Sequence, residues 1–227
     1  MSVGFFVVGT DTGIGKTHAA CALLHALARR HDRVCGMKPV ASGGVETADG
    51  FTNEDSIAHR TASTVRVPPA LDNPILLPEP LSPHLSAARA GTAISFEVVL
   101  DAAAELRRRT DALVVEGAGG FLVPLSQTQT GADLAVAMGL PIVLVVGMRL
   151  GCLNHALLTA DAIRARGLRL AGWVANRIDP KMPEQDANLA WLAHRLGAPC
   201  LADLPHRVPC DPREAARLFH PLDGLFA

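Results

Sequence analysis

Short apolar runs of four to six residues alternate along the chain with longer segments of helical periodicity. Because these runs lack a strict polar–apolar alternation, they predict strands that are buried on both faces. Helices between such strands predict an α/β fold with one doubly wound, mainly parallel sheet and helices on both faces, in a single domain over residues 1–227. The predicted strands are 5–8, 34–37, 112–115, 142–146, 170–175 and 200–204. The predicted helices are 16–30, 54–63, 95–109, 132–138, 154–166 and 184–196.

Two segments lack this periodicity. Residues 66–91 are rich in proline, which predicts irregular structure, and residues 209–227 match no motif and carry only weak signals. In doubly wound sheets, ligands bind outside the carboxyl ends of the strands. The loops that follow the predicted strands are therefore where functional residues are expected.

Composition and charge exclude several classes of function. The 227 residues carry a net charge of −1, which argues against nucleic acid or a membrane surface as the main partner. Aromatic residues are 4% of the chain and tyrosine is absent, so a base-stacking surface is not expected. The five cysteines form no C-x-x-C pair, and the N-terminus has no basic region of a signal peptide, so we expect a cytoplasmic protein with free thiols.

A glycine-rich loop joins the first predicted strand to the first predicted helix. Residues 9–17 read Gly-Thr-Asp-Thr-Gly-Ile-Gly-Lys-Thr. A loop of this kind at a helix N-terminus binds phosphates with its backbone N–H groups, with Lys16 on the β- and γ-phosphates and the Thr17 hydroxyl on Mg²⁺. The strand before it and the helix after it favour this interpretation over an ordinary glycine turn. Lys16 is also one of only 3 lysines among 21 basic residues.

Three further residues follow strands or open helices. Glu116 ends an apolar strand and precedes small residues, as a Mg²⁺-binding carboxylate would. Asp55 fits either a metal ligand or a plain acid at a helix N-terminus. Lys38, held extended by the following proline, fits either a residue that binds a small substrate near Ser42 or a strand-end lysine that reaches solvent.

Two later loops carry weaker signals. Asn154 is a natural N-cap, and the helix N-terminus beside Gly151 fits either carboxylate binding or simple capping. Asn176 ends a strand and could contact a nucleotide base. The sequence from Asn176 to Asp179 has arginine where guanine-binding proteins have lysine, so guanine is not favoured.

Five motifs in chain order resemble the dethiobiotin synthase family. They are Gly-Thr-Asp-Thr-x-x-Gly-Lys-Thr at 9–17, Lys-Pro-Val-Ala-Ser-Gly at 38–43, Val-Glu-Gly-Ala-Gly-Gly at 115–120, Leu-Gly-Cys-Leu-Asn-His-Ala at 150–156 and Gly-Trp-Val-Ala-Asn at 172–176. The resemblance runs from residue 4 to residue 207. It implies a P-loop NTPase-like fold and a cyclo-ligase of biotin biosynthesis. Such an enzyme uses ATP, Mg²⁺ and CO₂ or bicarbonate to close the ureido ring on 7,8-diaminopelargonate, and gives ADP and phosphate.

The resemblance also implies roles for individual residues. Lys38 and Lys16 would be catalytic, and Thr17, Asp55 and Glu116 would hold the metal. The ATP-binding residues would be Gly13, Ile14, Gly15, Lys16, Thr17, His18, Asp55, Glu116, Gly117, Ala118, Gly119, Asn176, Arg177, Pro205, His206 and Arg207. The substrate-binding residues would be Thr12 and Ser42, together with Gly151, Cys152, Leu153 and Asn154 supplied by the partner subunit of a homodimer.

Some residues depart from the family pattern or have no assigned role. Arg177 stands where an acidic residue is common in relatives, and His206 where an aromatic residue is known. The segment Ser82-Pro83-His84 is family-like, but no role follows for it.

Two other functions share features of this sequence. A partition- or septum-positioning ATPase has the same kind of loop but carries a second lysine in it, where this chain has Asp11 and Thr12. The synthase half of a cobyrinate amidotransferase would be joined to a glutaminase domain, which we do not expect in a chain of this length. Dependence of ATP turnover on a diamine distinguishes the predicted enzyme from a switch ATPase, which needs a protein, membrane or DNA partner.

Overall fold

The structure is a computed structural model that describes residues 2–48, 50–206, 211–220 and 222. Its strands are β1 (Val3–Gly9), β2 (Val34–Met37), β3 (Val40–Ser42), β4 (Val45–Thr47), β5 (Gly50–Thr52), β6 (Ile75–Leu77), β7 (Ala112–Glu116), β8 (Ile142–Gly147), β9 (Leu170–Asn176) and β10 (Cys200–Leu204). Its helices are α1 (Lys16–Leu27), α2 (Glu54–Ala62), α3 (Pro69–Asp72), α4 (Pro83–Arg89), α5 (Phe96–Arg109), α6 (Gly131–Met138), α7 (Cys152–Ala165), α8 (Gln185–Arg195) and α9 (Pro212–Ala215). A 3₁₀ turn (Ala216–Leu218) follows α9.

Six parallel strands form the main sheet in the order β10-β9-β8-β1-β7-β2. Side chains along β1 alternate between its two faces: Phe5 and Val7 enter one buried cluster, and Phe6 and Val8 enter the other. A strand buried on both faces has no polar face, which explains the continuous apolar runs in the sequence. The predicted doubly wound α/β class is confirmed.

Helices cover both faces of this sheet. Buried residues of α1 and α9 pack on one face, and those of α5, α6, α7 and α8 pack on the other. Ser95 is the N-cap of α5, since its side chain accepts a hydrogen bond from the backbone N–H of Val98. No helix within the described ranges is both long enough and apolar enough to span a bilayer.

The prediction that residues 66–91 are irregular was wrong. This segment forms α3, β6 and α4, and β6 pairs in parallel with β3 in a separate small sheet. Pro69 and Pro83 occupy the first turns of α3 and α4. A proline in the first turn of a helix removes no helical hydrogen bond, so these two prolines begin helices and do not mark a loop.

The start of α7 also differs from the prediction. The N-cap is Gly151, with φ at 94°, and not Asn154, which lies exposed in the first turn. A left-handed conformation is available to glycine at little cost, so the chain turns sharply into the helix three residues earlier. In the tail, α9 and the following turn pack on α1, although local signals there were weak.

The turn after α2 covers the edge strand β2. The backbone N–H of Gly36 donates to Ser63 Oγ at 2.9 Å, and that of Val34 donates to Thr64 Oγ1 at 2.8 Å. These bonds satisfy donors that an edge strand would otherwise expose. They also hold α2 alongside β2, so that the first turn of α2 lies near the carboxyl end of the main sheet.

Candidate active site

The glycine-rich loop curls between β1 and α1 at the carboxyl edge of the sheet. Gly13 and Gly15 have φ values of 72° and 79°, and Gly15 is the N-cap of α1. A side chain at Gly15 would overlap the amide of Asn176, so only glycine fits there. A turn of this type at a helix N-terminus binds anions through backbone N–H groups.

Lys16 is buried beside this loop. Its Nζ donates to the carbonyl oxygen of Asp11 at 2.8 Å, and the Asp11 carboxylate accepts a bond from the N–H of Thr12 and pairs with Arg149. Burial lowers the pKa of Lys16 to about 8, although the charge of Glu116 acts in the opposite direction. A phosphate group bound in the loop would stabilise this ammonium.

Thr17, Asp55 and Glu116 converge on one point. The Thr17 hydroxyl oxygen lies 2.8 Å from Asp55 Oδ1 and 3.0 Å from Glu116 Oε1. Its single proton can serve only one of these oxygens at a time. Mg²⁺ prefers hard oxygen ligands, and in nucleotide-binding proteins these are typically carboxylates and a hydroxyl beside the phosphate loop. These three residues therefore fit that ion.

Lys38 reaches the same two carboxylates from the end of β2. Its Nζ lies 2.7 Å from Asp55 Oδ2 and 2.8 Å from Glu116 Oε1. Burial alone would lower the pKa of Lys38, but Glu116 and Asp55 together raise it above its ordinary value. The backbone of Lys38 is held on both sides, by the carbonyl of Asp72 and the side-chain amide of Asn73, each at 2.7 Å.

His59 is a site residue that the sequence reasoning missed. Its Nε2 lies 2.6 Å from Glu116 Oε2, and both side chains are 1% exposed. Burial would raise the pKa of Glu116, but Lys38 and then His59 outweigh it and hold that pKa well below its usual range. A signal was present, because His59 follows Asp55 by four residues in a predicted helix and therefore shares its face.

A cavity of about 380 Å³ opens beside these charges. It is lined by several residues predicted from the sequence to bind ATP or substrate: Thr12, Lys38, Ser42, Asp55, Ala118 and Gly119. Among the described residues, Ser42 Oγ has no hydrogen-bond partner although it is buried. Ser82 and Pro83, which had no predicted role, also line this cavity.

A smaller cavity of about 60 Å³ lies at the other side of α1. His18 and Pro205, both predicted to bind ATP, line it, and burial lowers the pKa of His18. Leu204 at the end of β10 also lines it, and the tail contributes Asp211, Ala215 and Leu218. The sequence reasoning missed these tail residues because no motif covers them.

The other predicted base-binding residues make different contacts. The Asn176 amide donates to the carbonyl of Ile14 at 2.8 Å. Arg177 forms a two-point ion pair with Asp203, at 2.8 and 2.7 Å, and these bonds raise its pKa. His206 is exposed, and Arg207 lies outside the described residues.

The predicted carboxylate-binding segment lies apart from the large cavity. Gly151 and Asn154 are exposed at the start of α7, Leu153 is half-buried and Cys152 is buried. None of them is among the residues that line the 380 Å³ cavity in the described chain. Gly117, which is predicted to bind ATP, donates its N–H to the carbonyl of Val7 at 2.9 Å and so continues the pairing of β7 with β1.

Asn176→Ala is expected to weaken ATP binding about tenfold, because it removes the hydrogen bond that ties β9 to the phosphate loop and leaves the Ile14 carbonyl without that donor. Titration calorimetry with ATP measures the change. Asn188→Ala is the matched control, since the Asn188 amide donates to the backbone carbonyl of Glu184 at an exposed position. An unchanged Kd in Asn176→Ala would contradict a bracing role for this amide.

The parallel sheet, the glycine-rich loop and its lysine define a P-loop NTPase. Residues 3–214 match the family model AAA_26, described as an AAA domain. The chain therefore belongs to the AAA_26 family of P-loop ATP-binding domains, a family that includes dethiobiotin synthases. Proteins with this domain bind ATP, usually with Mg²⁺.

Solved structures share the fold at low sequence identity. A ParA family ATPase from Chlorobium tepidum TLS superposes with a TM-score of 0.57 and 14% identity, over 95% of this chain and 89% of that chain. The MinC:MinD cell division protein complex of Aquifex aeolicus gives a TM-score of 0.56 and 16% identity, over 91% and 82%. Identities this low show a common fold alone.

Proposed function

We propose that this protein is a dethiobiotin synthase, which uses ATP, Mg²⁺ and CO₂ to close the ureido ring on 7,8-diaminopelargonate. The observation that carries the proposal is the position of Lys38. Its ammonium lies between the two candidate metal-binding carboxylates and also lines the 380 Å³ cavity that Thr12 and Ser42 share. Phosphate chemistry and a small polar substrate would therefore meet at one point.

The reaction places negative charge at that point in every step. One amine adds to CO₂ and loses a proton, which forms a carbamate. A carbamate oxygen attacks the γ-phosphorus of ATP, ADP leaves, and a carbamic–phosphoric anhydride forms. The second amine attacks the carbonyl carbon and loses a proton, phosphate leaves, and the ring closes. Cations fixed in advance stabilise such charge more than mobile water does.

Each charged residue then has a distinct role. Lys16, beside the phosphate loop, would hold the β- and γ-phosphates, and Lys38 would stabilise the carbamate and the transferred phosphoryl group. Thr17, Asp55 and Glu116 would hold Mg²⁺, whose charge offsets that of the phosphates. Ser42, whose buried Oγ has no partner in the described chain, would bind the diamine or its carbamate.

Exposed leucines support the homodimer that the resemblance implies. Leu150 is 87% exposed and Leu158 is 62% exposed. Both are on or next to α7, whose N-terminus carries the predicted carboxylate-binding segment 151–154. Exposed large apolar side chains of this kind are enriched where proteins associate. A second subunit on this surface would supply residues 151–154 to the neighbouring site.

The decisive experiment tests product formation directly. The protein is incubated with ATP, Mg²⁺, bicarbonate and 7,8-diaminopelargonate, and we expect dethiobiotin by mass spectrometry together with ADP release that depends on the diamine. Omitting the diamine is the control. Folded protein that binds ATP but forms no product, or that hydrolyses ATP equally well without the diamine, would contradict the proposal and favour a switch ATPase.

A further inference from the structure

The two carboxylate oxygens of Glu116 have different partners. Oε1 faces the candidate metal site, 2.8 Å from Lys38 Nζ and 3.0 Å from the Thr17 hydroxyl. Oε2 points the other way, to Nε2 of His59 at 2.6 Å. A bond that short between fully buried groups, one of them a carboxylate, belongs to the stronger class of hydrogen bonds.

The surroundings of His59 indicate which nitrogen carries the proton. Within the described chain, Nδ1 is buried and has no hydrogen-bond partner. A buried N–H without an acceptor is costly, whereas Nε2 faces a carboxylate oxygen, so this geometry favours a proton on Nε2. In that form Nε2–H donates to Glu116 Oε2.

The neighbouring strand is adapted to the imidazole ring. A side chain at Gly36, in the middle of β2, would overlap Nδ1 of His59. Glycine within a strand weakens the strand, and here it makes room for the ring. The Ser63 hydroxyl joins the two elements, since it accepts from Gly36 N–H at 2.9 Å and donates to the His59 carbonyl at 2.7 Å.

We propose that His59 is a positioning residue of the metal–nucleotide site: by holding Oε2 of Glu116, it keeps Oε1 directed at Thr17, Lys38 and the divalent cation that would bind there. The proposal rests on the nucleotide and Mg²⁺ part of the proposed function and is independent of the identity of the second substrate. It predicts that the Glu116 carboxylate offers a single oxygen to the cation. Groups that orient a metal-binding side chain typically change metal affinity by about 10- to 100-fold when they are removed.

The test separates the hydrogen bond from the volume of the ring. His59→Leu removes the donor and keeps an apolar group of similar size, whereas His59→Gln keeps a terminal N–H donor. The readout is the Mg²⁺ concentration at half-saturation for binding of a fluorescent ATP analogue, which involves no turnover. We expect this concentration to rise about tenfold in His59→Leu and to stay within about threefold of wild type in His59→Gln. Nucleotide affinity in EDTA should be unchanged in both variants.

Three results would overturn the proposal: an unchanged Mg²⁺ requirement in His59→Leu, an equal loss in both variants, or an equal loss in His194→Leu. His194 lies exposed on α8 and is the matched control. If His59→Leu does not fold, the wild-type protein labelled with ¹⁵N-histidine gives the answer by NMR. The Nε2–H signal of His59, assigned with His59→Gln, must persist after Mg²⁺ and a non-hydrolysable ATP analogue are added, and its loss contradicts the role.

This experiment can fail separately from the proposed function. Suppose that the Mg²⁺ requirement rises in His59→Leu as expected but the wild-type protein forms no dethiobiotin. That result would reject the proposed enzyme activity and keep the positioning role of His59. Dethiobiotin formation by the wild-type protein together with an unaltered Mg²⁺ requirement in His59→Leu would keep the enzyme activity and reject the positioning role.

Discussion

Lys38→Gln is expected to lower the rate of dethiobiotin formation by about 10³-fold and to leave the Kd for ATP within about threefold of wild type. The glutamine amide can still donate a hydrogen bond to Glu116 or Asp55, but it carries no charge to stabilise a carbamate or a phosphoryl group. The side chain of Lys38 bonds to Glu116 and Asp55 and its backbone bonds to Asp72 and Asn73, so the substitution leaves the phosphate loop itself in place. Single-turnover measurements with saturating diamine isolate the chemical step from binding.

The control for this variant is Lys181→Gln. Lys181 is the third lysine of the chain and is exposed before α8, so its removal changes the net charge equally without touching the site. Near-normal turnover in Lys38→Gln would remove Lys38 from the chemistry. A large loss of ATP affinity would place Lys38 in nucleotide binding instead.

Lys16→Gln is expected to weaken ATP binding about 100-fold, because two powers of ten correspond to about 3 kcal/mol, the upper range for a hydrogen bond to a charged group. The Lys16 ammonium bonds to a backbone carbonyl of its own loop, and burial disfavours its charge. Bound phosphate would supply the compensating negative charge. Calorimetric titration with ATP measures the loss, and Lys181→Gln again controls for net charge.

A Kd for ATP that stays near the wild-type value in Lys16→Gln would exclude Lys16 from phosphate binding. The two variants together separate two roles for two ammonium groups in one site. Loss of Lys16 should act mainly on binding, and loss of Lys38 mainly on turnover. An identical pattern in both variants would mean that the lysines act as one unit.

Part of the candidate site could be predicted from local sequence patterns. The phosphate loop could be found because its parts are consecutive and depend on local geometry: a strand, a glycine turn and a helix N-terminus. Glu116 and Lys38 could be placed at strand ends, and parallel strands bring their ends to one edge. From spacing alone, however, Asp55 and Lys38 each had a second interpretation of equal weight. Their convergence depends on α2 lying against β2, which is held by hydrogen bonds between residues 27 and 30 positions apart in the chain.

The contacts of the residues predicted to lie near the nucleotide base could not be predicted from the sequence. Arg177 was expected at the nucleotide because the resemblance to the dethiobiotin synthase family implied it. Its partners are Asp203 on β10 and Asp186 on α8, which no local pattern joins to it. The wall beside His18 comes from the tail around α9, where four-residue helical periodicity is too short to detect.

The sequence by itself determined the parallel α/β class, nearly every strand of the main sheet and the helices that cover it, and the phosphate loop. Burial on two faces produces continuous apolar runs, and a tight turn requires glycines, so both features are visible in consecutive residues. Only the tertiary structure decided that Lys38 lies between Asp55 and Glu116, that His59 holds the far oxygen of Glu116, and that the tail closes the wall beside His18. These contacts join residues distant in the chain, and their energies depend on burial and on charges that meet only after the sheet has assembled.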